Sequence, residues 1–68
     1  MKTIDARGLS CPEPVVLTRN AMKTGEPAYQ VLVTDGVCRE NVTRYAEHLG
    51  YRVEVEKKDG EYILTLTK

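Results

Sequence analysis

The spacing of apolar residues changes period along the chain, and each change marks an element. Lys2–Ala6 is short, with Ile4 and Ala6 in alternation, which predicts a first strand broken by Gly8. From Pro12 to Lys23 the spacing is helical. At about 100° per residue, Val15, Leu17, Thr18, Ala21 and Met22 fall on one broad face, with Arg19, Asn20 and Lys23 opposite. Gly25 and Pro27 stop that helix. Ala28–Thr34, AYQVLVT, predicts a second strand. Its Val-Leu-Val centre lacks clean alternation, as in a strand buried on both sides or central in its sheet. A second helix runs from Val37 to Leu49, with Cys38, Val42, Tyr45, Ala46 and Leu49 on one face, Asp35 as N-cap and Gly50 at the C-terminal cap. Tyr51, Val53 and Val55 then alternate with Arg52, Glu54 and Glu56, a half-buried strand. Asp59-Gly60 is a hairpin signal, and Tyr62, Leu64 and Leu66 alternate with Ile63, Thr65 and Thr67 in the last strand.

The predicted order is β-α-β-α-β-β. A strand–helix–strand unit takes a right-handed crossover, so the first two strands should be parallel, and the closing hairpin is antiparallel. The expected fold is α+β: a two-layer sandwich in which a four-stranded mixed sheet carries both helices on one face. The 68 residues suffice for one domain, 1–68. A chain this short buries only about 60% of its unfolded surface, so its elements must be well formed.

Composition narrows the function. Apolar residues make up 41% and charged residues 29%, which is globular rather than disordered. Ten basic and ten acidic residues cancel. Non-specific nucleic-acid binding relies on excess positive charge, so stable binding to RNA or DNA is not expected. No apolar run is long enough to span a bilayer, and the opening Met-Lys-Thr-Ile-Asp has no apolar leader, so a cytoplasmic location is expected. There is no C-x-x-C pair and one histidine, too few ligands for a zinc site, and neither a metal nor another cofactor is expected. Two cysteines allow one disulfide, but in that setting they are expected to be thiols, one of them chemically active.

The stretch Arg7–Pro14, RGLSCPEP, places Cys11 at or just before the first helix. The first helical turn has backbone N–H groups without intrahelical partners, so prolines are tolerated there. Pro12 pushes Cys11 out of the helical region, as an N-cap residue requires, and Pro14 restrains Glu13 in the same way. The N–H groups of Glu13 and Val15 remain available to the sulfur. A helix N-terminus favours an anion and enlarges the thiolate fraction of a cysteine. Arg7 adds positive charge within reach, and Glu13 opposes it. The alternative is a buried cysteine in a proline-initiated helix.

The spacing Asp5-x-x-Gly8-x-x-Cys11-Pro12-x-Pro14 after a first strand resembles the signature of the TusA/SirA-like sulfur-carrier family. The likeness covers the whole chain, since that family has a βαβαββ sandwich. It implies that Cys11 carries a persulfide, taking sulfane sulfur from a protein donor such as a cysteine desulfurase and relaying it to a protein acceptor. That is a sulfurtransferase-type carrier rather than a stand-alone turnover enzyme. It also implies transfer-RNA thiolation as one use. Asp35–Tyr51, DGVCRENVTRYAEHLGY, is similar to the same region of the N-terminal domain in YedF-type proteins linked to selenium metabolism, where a DsrE-like domain usually follows. That second likeness leaves sulfur and selenium both open as cargo and makes a DsrE-like acceptor one option. A non-catalytic interaction or regulatory domain of a sulfur- or selenium-handling system is the alternative reading.

Gly8 is expected to allow an unusual backbone angle in the approach loop, and Asp5 to accept loop N–H groups. Cys38 lies in line with Val42, Tyr45 and Leu49, so its register favours the core over a resolving thiol. His48, at the far end of the second helix, fits charge compensation there better than general base catalysis. Val16 is either an incidental surface residue or part of an apolar docking patch beside the sulfur.

Overall fold

The structure is a computed structural model that describes residues 2–9 and 13–68. In chain order the elements are β1 (Lys2–Asp5), α1 (Glu13–Met22), β2 (Ala28–Val33), α2 (Gly36–His48), β3 (Arg52–Lys58) and β4 (Glu61–Thr67). The expected helix start at Pro12 lies outside the described residues, as do Ser10 and Cys11. The sheet order is β1-β2-β4-β3, with β1 parallel to β2 and the other two pairings antiparallel. The βαβαββ sandwich expected from the pattern is therefore the fold.

Of the two readings of β2, the central position is the correct one. Tyr29, Val31 and Val33 are fully buried, while Ala28, Gln30 and Leu32 on the other face are half-buried. Tyr29, Val31 and Val33 meet Leu64 and Leu66 of β4 and Ile4 of β1 under Cys38, Val42 and Ala46 of α2 and Ala21 of α1. Each fully buried aliphatic side chain contributes about 1.5–3 kcal/mol by leaving water. The phenol of Tyr29 stays satisfied at depth: its oxygen accepts the Glu26 N–H at 2.9 Å and lies 3.3 Å from Thr24 Oγ1.

The inward stripe of α1 is narrower than its apolar face. Pro14, Thr18 and Ala21 point into the core, whereas Leu17 is 37% exposed. Residues 14, 18 and 21 are a turn or nearly two turns apart and line one edge of the helix; Leu17 is rotated off it. Thr18 is accommodated because its hydroxyl donates to the Pro14 carbonyl at 2.8 Å. Leu49 is also corrected from core to surface, because it is the C-cap of α2, beyond the last inward turn. Val55 is exposed because β3 is an edge strand that α2 covers only in part.

The ends of α2 follow the sequence signals. Asp35 accepts the Val37 N–H at 2.7 Å. At the other end Tyr51 N donates to Ala46 O and Gly50 N to Glu47 O, both at 3.0 Å, a Schellman arrangement. Gly50 has φ of 90°, which glycine adopts without strain. In the hairpin, Asp59 and Gly60 both have positive φ, as a two-residue turn of the type favoured by Asp-Gly requires.

Candidate functional site

Both helices start at the rim formed by the C-terminal ends of the parallel strands β1 and β2. The loop 6–9 crosses that rim on its way to Cys11. Cys11 and Pro12 lie outside the described residues, so the site is built from what holds the loop and from the first turns of the two helices.

The loop is fixed from three sides. Ala6 N donates to Leu32 O at 2.9 Å, carrying the β1–β2 pairing one residue past β1. Gly8 then turns with φ of 77°, and its N–H donates to Thr34 Oγ1 at 3.0 Å. The Leu9 carbonyl accepts from Cys38 Sγ at 3.6 Å, tying the loop to the first turn of α2. Gly8 has the unusual backbone angle the sequence called for.

Asp5 and Arg7 form a closed pair. Asp5 Oδ1 accepts from the Arg7 N–H at 3.1 Å and from Arg7 Nε at 2.9 Å, and Asp5 Oδ2 accepts from Nη2 at 2.9 Å. Arg7 Nη1 also reaches Glu61 Oε2 at 3.4 Å, linking the loop to the start of β4. The guanidinium bonds hold the Asp5 carboxyl down at about 2, and the pairing raises the Arg7 guanidinium. The pair is exposed, so it is worth little as stability, but its bidentate geometry sets the direction of the loop. Two carboxylates share Arg7, so the positive charge the sequence offered to Cys11 is already paired within the described residues.

Glu13 is exposed at the start of α1, where a helix N-terminus favours an acid. Pro14 is fully buried, so it belongs to the core as well as to the first turn. Cys38 is 1% exposed, in the core as its register predicted. Val16 is exposed one turn into α1. His48 is the last residue of α2, at the end of that helix away from the rim, and lines a groove between the helices with Val15 of the first turn of α1 and with Asn41, Arg44 and Tyr45. Among the described residues no three His, Cys, Asp or Glu side chains cluster as metal ligands, and no helix is long and apolar enough to cross a membrane.

Thr34 and Glu61 were missed in the sequence. Thr34 had a faint signal, since the parallel register of β1 and β2 brings the residue after β2 level with the turn after β1. Glu61 had none, being 54 residues from Arg7.

The comparisons with known proteins agree with one another. The family model described as sulfurtransferase TusA matches residues 2–68. The sulfur carrier protein TusA of Pseudomonas paraeruginosa is 32% identical, over 96% of this chain and 86% of its own length. A putative sulfur carrier protein of Aquifex aeolicus is 36% identical over 98% of this chain, which spans only 36% of that longer protein. The crystal structure of a SirA-like protein from Desulfitobacterium hafniense superposes with a TM-score of 0.91 at 38% identity, covering 98% of this chain and 96% of that one.

Proposed function

The chain belongs to the sulfurtransferase TusA family of sulfur carriers, and on that premise we propose that Cys11 carries the sulfur as a persulfide. The observation that carries this reading is the fixed loop 6–9, which precedes Ser10 and the run Cys11-Pro12-Glu13-Pro14 and is held by the side chains of Glu61 in β4, Cys38 in α2 and Thr34 just after β2. A relay cysteine must present its sulfur to two proteins in turn, and a tethered loop at a helix start suits that task.

The chemistry balances without an external oxidant. The Cys11 thiolate attacks the outer sulfur of a donor persulfide, a Cys11 S–S bond forms, and the donor leaves as its thiolate. An acceptor thiolate then attacks that outer sulfur, and Cys11 leaves as a thiolate. A cysteine desulfurase is the donor class we assign, a protein such as a DsrE-like domain the acceptor class, and the cytoplasm the compartment, where thiols stay reduced. Asp5 and Gly8 shape the approach loop, Pro12 and Pro14 stiffen the first turn, and Glu13 tempers the thiolate. Selenium follows the same steps, and transfer-RNA thiolation is one destination of the sulfur.

Incubation with a cysteine desulfurase and cysteine, followed by mass spectrometry of the intact protein and its peptides, tests this. The expected result is one added sulfur on Cys11, retained in Cys38→Ala and absent from Cys11→Ser. Loading that persists in Cys11→Ser would sink the assignment. The second reading is a non-catalytic interaction or regulatory domain of a sulfur- or selenium-handling system; the Aquifex relative, of which this chain spans 36%, carries a matching unit within a longer chain. Absence of any adduct, under conditions that load a known carrier, would favour that reading.

A further inference from the structure

Tyr62, in β4, stands on the helix side of the sheet, in register with Val33 of β2 and Lys57 of β3. The guanidinium carbon of Arg39, from α2, lies 5.1 Å from the centre of the Tyr62 ring, and Lys57 Nζ lies 5.7 Å from it. Two cations thus share one half-buried ring. Each gains from the ring face, and together they gather two positive charges around one side chain. The ion pairs among the described residues are those of Arg7 with Asp5 and Glu61 and of Arg44 with Glu40, so neither Arg39 nor Lys57 has a carboxylate partner there.

Two polar atoms on this flank are buried without a hydrogen-bond partner, Arg39 Nε and Thr43 Oγ1, one turn apart on α2. Such groups are uncommon in folded proteins. Val55, 43% exposed on the same face of β3 as Lys57, adds apolar surface. The flank adjoins the tethered loop: Cys38, next to Arg39, touches Leu9, and Glu61, next to Tyr62, takes Arg7.

We infer that Arg39, Lys57 and Tyr62 form a docking surface for an acidic segment of a protein partner; its identification as a relay partner rests on the carrier reading of Cys11. The chemistry selects carboxylates. A guanidinium offers a planar fork of donors to a carboxylate, and an ammonium beside it adds a point charge. Single-stranded RNA would require an aromatic face open for base stacking, and here the Tyr62 ring is engaged by cations. A carboxylate that meets Arg39 or Lys57 supplies the counter-charge that neither has among the described residues and leaves the ring contacts in place.

The test uses the full chain, labelled with nitrogen-15, at low salt. It is titrated with an octaglutamate peptide, an octalysine peptide and a decauridylate RNA. Octaglutamate should shift the Arg39 side-chain resonance and the amides of Lys57 and Tyr62, and added salt should weaken the effect. Arg39→Ala with Lys57→Gln should reduce affinity at least about tenfold, the change expected for loss of roughly 1.4 kcal/mol. Shifts spread evenly over all ten basic residues, binding unchanged in the double variant, or preference for the RNA would overturn the proposal. Binding does not require a loaded cysteine, so Cys11→Ser should bind the peptide as the native chain does. If Cys11 never loads but the peptide binds at Arg39, the carrier reading fails and the docking surface stands; loading without binding reverses that outcome.

Discussion

The thiol of Cys38 donates to the backbone carbonyl of Leu9 across 3.6 Å, joining the first turn of α2 to the loop that leads to Cys11. The second cysteine therefore holds, from inside the core, the loop that precedes the first. A buried thiol reacts only when the fold opens, because the nucleophile is an exposed thiolate. Timed iodoacetamide labelling with peptide mass analysis should find Cys38 far slower in the native chain than in urea. Equal rates in the two conditions would contradict its 1% exposure. Cys38→Ala removes the donor from a part-buried carbonyl and empties part of a core position, and should cost about 1–3 kcal/mol in urea unfolding.

Much of the fold was legible because period and punctuation agree. Alternation in Tyr62–Thr67, the Asp59-Gly60 turn and the Asp35 cap each give one answer, and each is local. What stayed hidden depends on residues distant in sequence. Arg7 reads as a spare positive charge beside Cys11 until the sheet brings Glu61 to it. Pro14 reads as a support for the first turn, yet it is also buried, because inward direction depends on where α1 lands and not on composition. Leu17 fails for the same reason. The chemistry proposed for Cys11 rests on its motif, since a thiol's role depends on partners that one chain does not contain.

The cap at Asp35 gives a stability test independent of the site. Its carboxylate holds the Val37 N–H at 2.7 Å. Asp35→Ala should cost about 0.5–2 kcal/mol, and Asp35→Ser much less, because a hydroxyl can take the same N–H. Urea midpoints of the two variants check this, and equal losses would show that the cap bond is not the cause.

The carrier reading expects Cys11 to be reactive, since in sequence it stands two residues before Glu13, the first residue of α1. A helix start favours the thiolate, Glu13 opposes it, and Arg7 is already held by two carboxylates. The alkylation rate against pH, measured on a Cys38→Ala background, should have its midpoint modestly below the ordinary thiol value of about 8.5. Glu13→Gln should lower it further. A midpoint at or above the ordinary value would remove the electrostatic support for a relay thiolate.

The Asp5–Arg7 pair predicts a pH response of the approach loop. Hydrogen bonds from the Arg7 side chain, then from its backbone N–H, bring the Asp5 carboxyl from 3.8 down to about 2. The folded chain therefore holds this proton less readily than the unfolded chain. Such a group adds stability that is fully present above 3.8 and is lost as pH falls through about 2. The contribution is small because both side chains are in solvent, so the sensitive readout is local. Carbon-13 titration should place the Asp5 carboxyl midpoint near 2, with the Arg7 and Gly8 amides following the same curve. In Arg7→Gln the midpoint should return toward 3.8. Glu61→Gln should leave Asp5 low, because Asp5 bonds to Arg7 directly, while freeing Arg7 Nη1 from its second carboxylate. An Asp5 midpoint at 3.8 in the native chain would mean that Arg7 does not hold the loop.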